Sequence, residues 1–281
     1  MNEKKLLALY GLKWNPFLPN IPTEALWRPP GIDSFFFRIE NLVKEGGFAL
    51  ICGEPGLGKS KSQQLLVNRL SPMGDLIVAV MERPQSSVAD FYREMGALFE
   101  INLSPANRYG GFKSLRTRWR DHFKNTLLKP VLLVDEAQEM VTPCLNELRL
   151  LGSANFDSEC LLTTILCGDN RLPERFRSLS LVSLGSRIQV RRHVEPYPSE
   201  DLMAYLQHAM ETAGAPGLMT KGLAMTLAEH AAGYPRVLNN MALELLLEAA
   251  QRDLSQLDEK LFLEVFSRAP KQSGRKKRKE N

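Results

Sequence analysis

Between Gly53 and Ser60 the chain reads Gly-Glu-Pro-Gly-Leu-Gly-Lys-Ser, with the apolar run Phe48-Ala49-Leu50-Ile51-Cys52 before it and a helix-like stretch, Lys61 to Leu70, after it. Strand, glycine turn, Lys-Ser and helix in that order make a P-loop. The glycines let backbone N–H groups converge on phosphate oxygens with no Cβ in the way, and the helix N-terminus adds partial positive charge. Gly53, Glu54, Pro55, Gly56, Leu57, Gly58, Lys59, Ser60 and Lys61 are therefore the expected cradle of a nucleoside triphosphate. Lys59 is expected at the β- and γ-phosphates and the Ser60 hydroxyl at Mg²⁺.

A second chemical signal follows. Val131-Leu132-Leu133-Val134 is an apolar run of the kind found in a strand buried on both faces, and it leads directly into Asp135-Glu136. An aspartate at the C-terminal end of a parallel strand lies beside a P-loop, where Asp135 is expected to hold Mg²⁺ through water. Glu136 is then placed to polarise the water that attacks the γ-phosphate. Two carboxylates here predict hydrolysis as well as binding.

The rest of the chain alternates strands with helices up to about residue 196. The pattern predicts strands at Leu76–Val80, Cys160–Cys167 and Arg187–Val194, and helices at Ser87–Glu100, Lys113–Leu127, Pro143–Leu151 and Leu172–Arg177. Beyond Pro196 and Pro198 only helical patterns remain: Ser199–Ala213, Thr220–Ala232, Arg236–Arg252 and Asp258–Arg268. The expected organisation is an N-terminal extension (1–30), a doubly wound α/β core with a parallel sheet (31–196), a helical lid (197–269) and a basic tail (270–281).

With 281 residues, 44% hydrophobic and 24% charged, the chain fits one α/β domain plus a smaller one. No window reaches the roughly eighteen unbroken apolar residues of a membrane span, and the start, Met1-Asn2-Glu3-Lys4-Lys5, does not read as a signal peptide. A cytoplasmic location without membrane contact is expected. Four cysteines without CxxC spacing and four scattered histidines give no disulfide or zinc pattern.

The net charge of +4 is unevenly placed. Lys271, Arg275, Lys276, Lys277, Arg278 and Lys279 face only Glu280 at the C-terminal end, a run suited to a polyanion or to plain solubility. A second basic concentration, Arg108, Lys113, Arg116, Arg118, Arg120 and Lys124, is interleaved with Tyr109, Phe112 and Trp119. It reads either as a phosphate-backbone contact surface or as an amphipathic helix face. On the first reading Arg83, Arg108, Lys113 and Arg116 are the expected contacts to double-stranded DNA.

With these residues in place the chain resembles the AAA+ ATPases, and within them the ExeA-like group that shades into the transposition ATPases TnsC, TniB, MuB and IstB. The resemblance is carried by Tyr10-Gly11-Leu12 with Asn15-Pro16-Phe17, the Walker A motif Gly53–Ser60, and the Walker B segment ending Asp135-Glu136-Ala137-Gln138. It continues through Glu147-Leu148-Arg149-Leu150-Leu151, Ile165-Leu166-Cys167-Gly168-Asp169, Ser186-Arg187-Ile188 and Gly233-Tyr234-Pro235-Arg236. It implies an ATP- and Mg²⁺-dependent homo-oligomer, ring or filament, with nucleotide at subunit interfaces. It further implies that Arg236 is a sensor-2 arginine and Arg187 an arginine finger, with Arg175 and Arg177 as alternatives for the finger. The sensor-1 position is usually neutral and polar; here it falls on Asp169, with Asn170 next. An acidic group there repels the γ-phosphate unless it is paired, so either Asn170 substitutes or turnover is slow.

The function this resemblance implies is a DNA-transposition regulator that assembles on target DNA with ATP and recruits or activates a separate transposase. A secretion ATPase of the ExeA type and a helicase-loader-like partner ATPase are the alternatives. The secretion type normally carries a membrane segment and a peptidoglycan-binding domain after the ATPase, and neither is read in this sequence. No third carboxylate accompanies Asp135 and Glu136 in a spacing suited to strand transfer itself.

Overall fold

The structure, a computed structural model, describes residues 3–84, 87–103, 107–156 and 158–266. The basic run from Lys271 to Asn281 lies outside the described residues. The chain divides into two compact units, one spanning Arg28–Pro196 and the other combining the residues up to Trp27 with those from Tyr197 onward.

The first helix, α1 (Glu3–Tyr10), belongs to the second unit. The α/β unit then runs α2 (Ile32–Glu45), β1 (Gly47–Gly53), α3 (Lys59–Leu70), β2 (Leu76–Met81), α4 (Val88–Leu98), α5 (Arg108–Asn125) and β3 (Lys129–Val134). It continues with α6 (Thr142–Gly152), β4 (Ser153–Ala154), β5 (Glu159–Cys160), β6 (Thr163–Gly168), α7 (Arg171–Arg175), α8 (Val182–Gly185) and β7 (Ile188–Val194). Five strands form one parallel sheet in the order β2-β3-β6-β1-β7. Every residue of β1 and β6 is buried, as central strands flanked by helices require. Edge strand β7 instead alternates, with Ile188, Val190 and Val194 buried and Gln189, Arg191 and His193 exposed.

Two elements differ from their expected bounds by more than two residues, for local reasons. Helix α5 starts at Arg108, five residues before the expected Lys113, because Asn107 caps it: the side-chain oxygen accepts from Gly110 N at 2.7 Å. The expected strand from Cys160 to Cys167 is two pieces. Cys160 pairs antiparallel with Ser153, Leu161 N bonds back to Gly152 O (2.7 Å), and the sheet strand begins only at Thr163. An apolar run cannot reveal that its first residues pair with a different partner.

The core of this unit gathers Phe48, Leu50, Leu132, Val134 and Leu166 from the sheet with Phe91, Tyr92 and Met95 of α4 and Leu115 and Trp119 of α5. Trp119 is fully buried and packs edge-on against Phe99, ring centroids 5.2 Å apart.

In the second unit α1 joins α9 (Ser199–Ala213), α10 (Lys221–His230), α11 (Pro235–Gln251) and α12 (Glu259–Phe266). Leu6, Leu12 and Phe17 are buried in one cluster with Leu206, Leu227, Leu238, Leu245 and Phe262, so the N-terminal segment shares the helical core. Trp27 meets Tyr197 and Tyr205 edge-on at 5.4 and 5.6 Å. Proline at the first position starts α11 after Gly233 (φ +89°), and Arg252 at its end pairs with Glu248 and with Glu264 of α12.

Candidate active site

Register places the chemistry at one end of the sheet. Cys52 of β1 lies opposite Gly168 of β6, and Leu166 of β6 lies opposite Val134 of β3. The turns leaving these strands, 53–60, 135–138 and 169–170, therefore emerge side by side at the C-terminal edge. Strand β1 has β6 on one side and β7 on the other although the chain reaches them at different times, which is the switch point where open α/β sheets bind ligands.

The loop is shaped by its glycines. A Cβ on Gly53 would lie 2.3 Å from the Val194 carbonyl oxygen, and Gly56 and Gly58 hold φ of +93° and +85°. Lys59 is 9% exposed, and its ammonium donates to the Glu54 carbonyl across the loop at 2.9 Å. Ser60, at the start of α3, is exposed. Lys61 donates to Gln64 at 3.2 Å, and partial burial lowers its pKa. Gln63 Nε2 donates to the Val134 carbonyl at 3.2 Å, pinning α3 to the end of β3.

Asp135 continues the ladder, its N–H donating to Met81 O at 3.0 Å, and its carboxylate accepts from Glu136 N at 3.0 Å. Glu136 is exposed and left-handed, φ +48°, a conformation that costs a non-glycine residue on the order of 1 kcal/mol. Behind them Cys167 is fully buried. Burial drives its thiol pKa far up, Asp135 and Glu136 add to the rise, and Lys59 opposes it. Lys59, Asp135 and Glu136 thus surround one strand end.

The acidic residue at the sensor turn is paired. Asp169 accepts from Arg171 N at 2.9 Å and Arg171 Nε at 2.8 Å, and Arg171 also reaches Glu139 at 2.5 Å. Burial raises the Asp169 pKa, but the Arg171 side chain and backbone, with Lys59, outweigh it and hold the carboxyl below its usual range. The neighbouring Asn170 is exposed.

A buried lysine inside a loop that needs glycine at Gly53 for close approach and at Gly56 and Gly58 for positive φ fits a triphosphate. The Ser60 hydroxyl and the Asp135 carboxylate fit Mg²⁺, which needs few protein ligands when phosphates and water complete its shell. Three-ligand His/Cys/Asp/Glu clusters are absent among the described residues.

The arginines separate into distinct places. Arg187 sits before β7, and its guanidinium donates to Ser183 O at 2.5 Å. Arg175, an alternative finger, is turned inward onto Gln138 O (2.5 Å) and Thr142 (3.3 Å), whereas Arg177 is exposed. Arg236 is exposed on the first turn of α11 in the helical unit.

Of the residues expected at DNA, Arg83 and Lys113 are exposed, Arg83 just beyond β2 at the nucleotide end of the sheet. Arg108 and Arg116 do not form a free basic face. Arg108 pairs with Glu147, which is 3% exposed and also receives the Tyr92 hydroxyl at 2.5 Å; burial and then this hydrogen bond push the tyrosine pKa far up. Arg116 donates to the carbonyls of Leu150 (2.8 Å) and Ser153 and lies over the Phe112 ring at 5.0 Å. Charge in the sequence could not show that α6 supplies a buried carboxylate to Arg108 and that the end of α6 and the start of β4 supply carbonyls to Arg116. Removing Arg108 strands the Glu147 charge, so Arg108→Ala should cost about 1–2 kcal/mol, against under about 0.5 for exposed Arg118→Ala. Thermal unfolding of both variants checks this.

In the sequence Gln138 stands only as the last residue of Asp-Glu-Ala-Gln, and Arg171 belongs to no motif. Both prove to tie the Glu136 segment to the turn after β6.

Residues 42–176 match the family model described as an AAA domain. General secretion pathway protein A of Aeromonas hydrophila is 30% identical over 211 residues, 74% of this chain and 38% of that protein. The chain thus spans well under half the length of the curated relative it matches. Among solved structures, the Aeropyrum pernix ORC2 protein in ADPNP–ADP complexes aligns with a TM-score of 0.69 at 15% identity, over 90% of this chain and 71% of that one. The Aeropyrum pernix ORC1 protein in complex with DNA aligns with a TM-score of 0.64 at 16% identity, over 89% and 67%. The fold is the AAA+ ATPase fold, and the AAA-domain match supports ATPase activity with ATP and its usual partner ion Mg²⁺. Among the described residues, no helix is long and apolar enough to cross a membrane.

Proposed function

We propose that this protein is an ATP-driven, DNA-binding regulator of transposition that assembles as a homo-oligomer on duplex DNA and recruits or activates a separate transposase. The observation that carries the ATP-driven part is the gathering of Lys59, Ser60, Asp135, Glu136 and the Asp169 turn at one end of a parallel sheet. Lys59 counters phosphate charge, Ser60 and Asp135 hold Mg²⁺, and Glu136 orients and deprotonates the attacking water. The ion that Ser60 and Asp135 would hold would supply positive charge to offset the negative charge developing on the phosphate oxygens. Because Arg171 already neutralises Asp169, the acidic sensor position does not forbid turnover, and exposed Asn170 is the group left to meet the γ-phosphate.

The DNA part rests on exposed Lys113 and Arg120, seven residues apart on one stripe of α5 with Tyr109, and on Arg83. The transposase partner rests on the resemblance carried by Asp-Glu-Ala-Gln and Gly-Tyr-Pro-Arg. Backbone contacts release counterions, so duplex affinity should fall steeply with salt and show little base preference. Arg83→Ala with Lys113→Ala should abolish DNA-stimulated assembly, seen by sedimentation with a non-hydrolysable ATP analogue, while nucleotide affinity stays at the parent value. Deleting Lys271 to Asn281 should lower duplex affinity and flatten the salt slope without abolishing ATP-dependent assembly. Parent-like assembly of the double variant on DNA would return α5 to its reading as a solvated face.

The 30% identity to General secretion pathway protein A favours a second reading, a secretion-type ATPase. Hydrolysis and assembly that ignore duplex DNA at low salt would select it.

A further inference from the structure

We propose that Gln138 is a positioning residue for ATP hydrolysis, its one amide donating from Nε2 to the Glu136 carboxylate and accepting at Oε1 from the Asp169 backbone N–H, 3.1 Å away. The inference rests on the reading of Glu136 as the hydrolytic carboxylate. The direction of the amide is settled by chemistry: a backbone N–H can meet only Oε1, which leaves Nε2 for a group that can only accept. Gln138 is 7% exposed, and its surroundings fix it there. A Cβ on Gly168 would stand 2.5 Å from Oε1, so the glycine that ends β6 is what admits the amide.

Two arginines clamp the same segment. Arg175 binds the Gln138 carbonyl, and Arg171 spans Glu139 and Asp169. The charged groups about the amide are Asp135, Glu136 and Glu139 on its own stretch, Asp169, Arg171 and Arg175 across from it, and Lys59 on α3. Since both bonds leave a single rigid amide, a shift of the 168–170 turn rotates the group that aims Glu136. The turn beside the γ-phosphate position and the carboxylate beside the water position therefore move as one unit.

Two substitutions separate the bonds. Gln138→Met keeps the bulk and loses both; Gln138→Glu keeps an acceptor for Asp169 N–H but sets a carboxylate against Glu136. In the full chain each should lower kcat about 10- to 100-fold with KM within about 3-fold of the parent. Affinity for ADP–aluminium fluoride should fall by a similar factor while affinity for a non-hydrolysable ATP analogue holds, as expected for a contact that matters only in the transition state. Gly168→Ala, which crowds Oε1, should reproduce the defect and serves where Gln138→Met fails to fold. Parent kcat in Gln138→Met and Gln138→Glu overturns the proposal. So does a loss of analogue affinity that parallels a fall in thermal midpoint, the mark of a merely structural role. Glu136→Gln is the control: parent-rate hydrolysis by that variant sinks the reading of Glu136, whereas an inactive Glu136→Gln beside active Gln138 variants sinks only the role of Gln138.

Discussion

Glu136→Gln is expected to bind ATP as the parent does and to hydrolyse it about 10²- to 10⁴-fold more slowly, the range for loss of a positioned base. The substitution changes one oxygen of an exposed side chain and leaves Lys59, Ser60 and the glycine turn untouched, so binding has no reason to change. Lys59→Ala should do the opposite, weakening ATP binding about 100-fold, because it deletes a buried ammonium already aimed across the loop. Filter binding and steady-state phosphate release separate the two. Assemblies formed by Glu136→Gln with ATP should also outlive those of the parent. Parent-rate hydrolysis by Glu136→Gln would remove the carboxylate from the mechanism.

How much of this was legible in the sequence depended on the range of the interaction. The P-loop and the Val131–Val134 strand were readable because each is a short, local pattern: glycines where φ must be positive, and an apolar run that both faces of a central strand demand. The helices after residue 198 were readable from apolar periodicity, and Ser199–Ala213 matches the observed α9 in full. Legibility ended where a side chain's partner is distant in the chain. Arg108 and Arg116 look like free charge until α6 is folded against α5, when one meets a buried glutamate and the other two carbonyls. The doubt over an acidic sensor arose likewise, since Asp169 carries its counter-charge on Arg171 only once the turn after β6 closes. Gln138 stood in plain view beside the carboxylate it holds. Its second partner lies 31 residues on, and only the pairing of β3 with β6 brings the two together.

If Arg187 is an arginine finger, Arg187→Ala is expected to slow hydrolysis about 10³-fold while ATP affinity changes little, and the sheet gives the reason such a finger would serve another subunit's nucleotide. Strand β7 runs parallel to β1, with Ile188 opposite Phe48 and Val194 opposite Gly53. Arg187 precedes β7, so it lies at the N-terminal edge of the sheet and the P-loop at the C-terminal edge, roughly 20 Å apart at about 3.3 Å per residue. No arginine side chain covers that span within one chain, whereas a head-to-tail interface brings one edge of a subunit against the opposite edge of the next. Mixing Arg187→Ala subunits, which keep Glu136, with Glu136→Gln subunits, which keep Arg187, should create competent interfaces from two inactive proteins. At equal mixing about a quarter of random interfaces join an intact carboxylate to an intact arginine, so the rate should recover to about a quarter of the parent's. Recovery should appear only above the concentration at which ATP drives assembly. No recovery at any ratio, with mixed assemblies confirmed by sedimentation, would leave Arg187 as an ordinary residue holding Ser183 and pass the role to exposed Arg177.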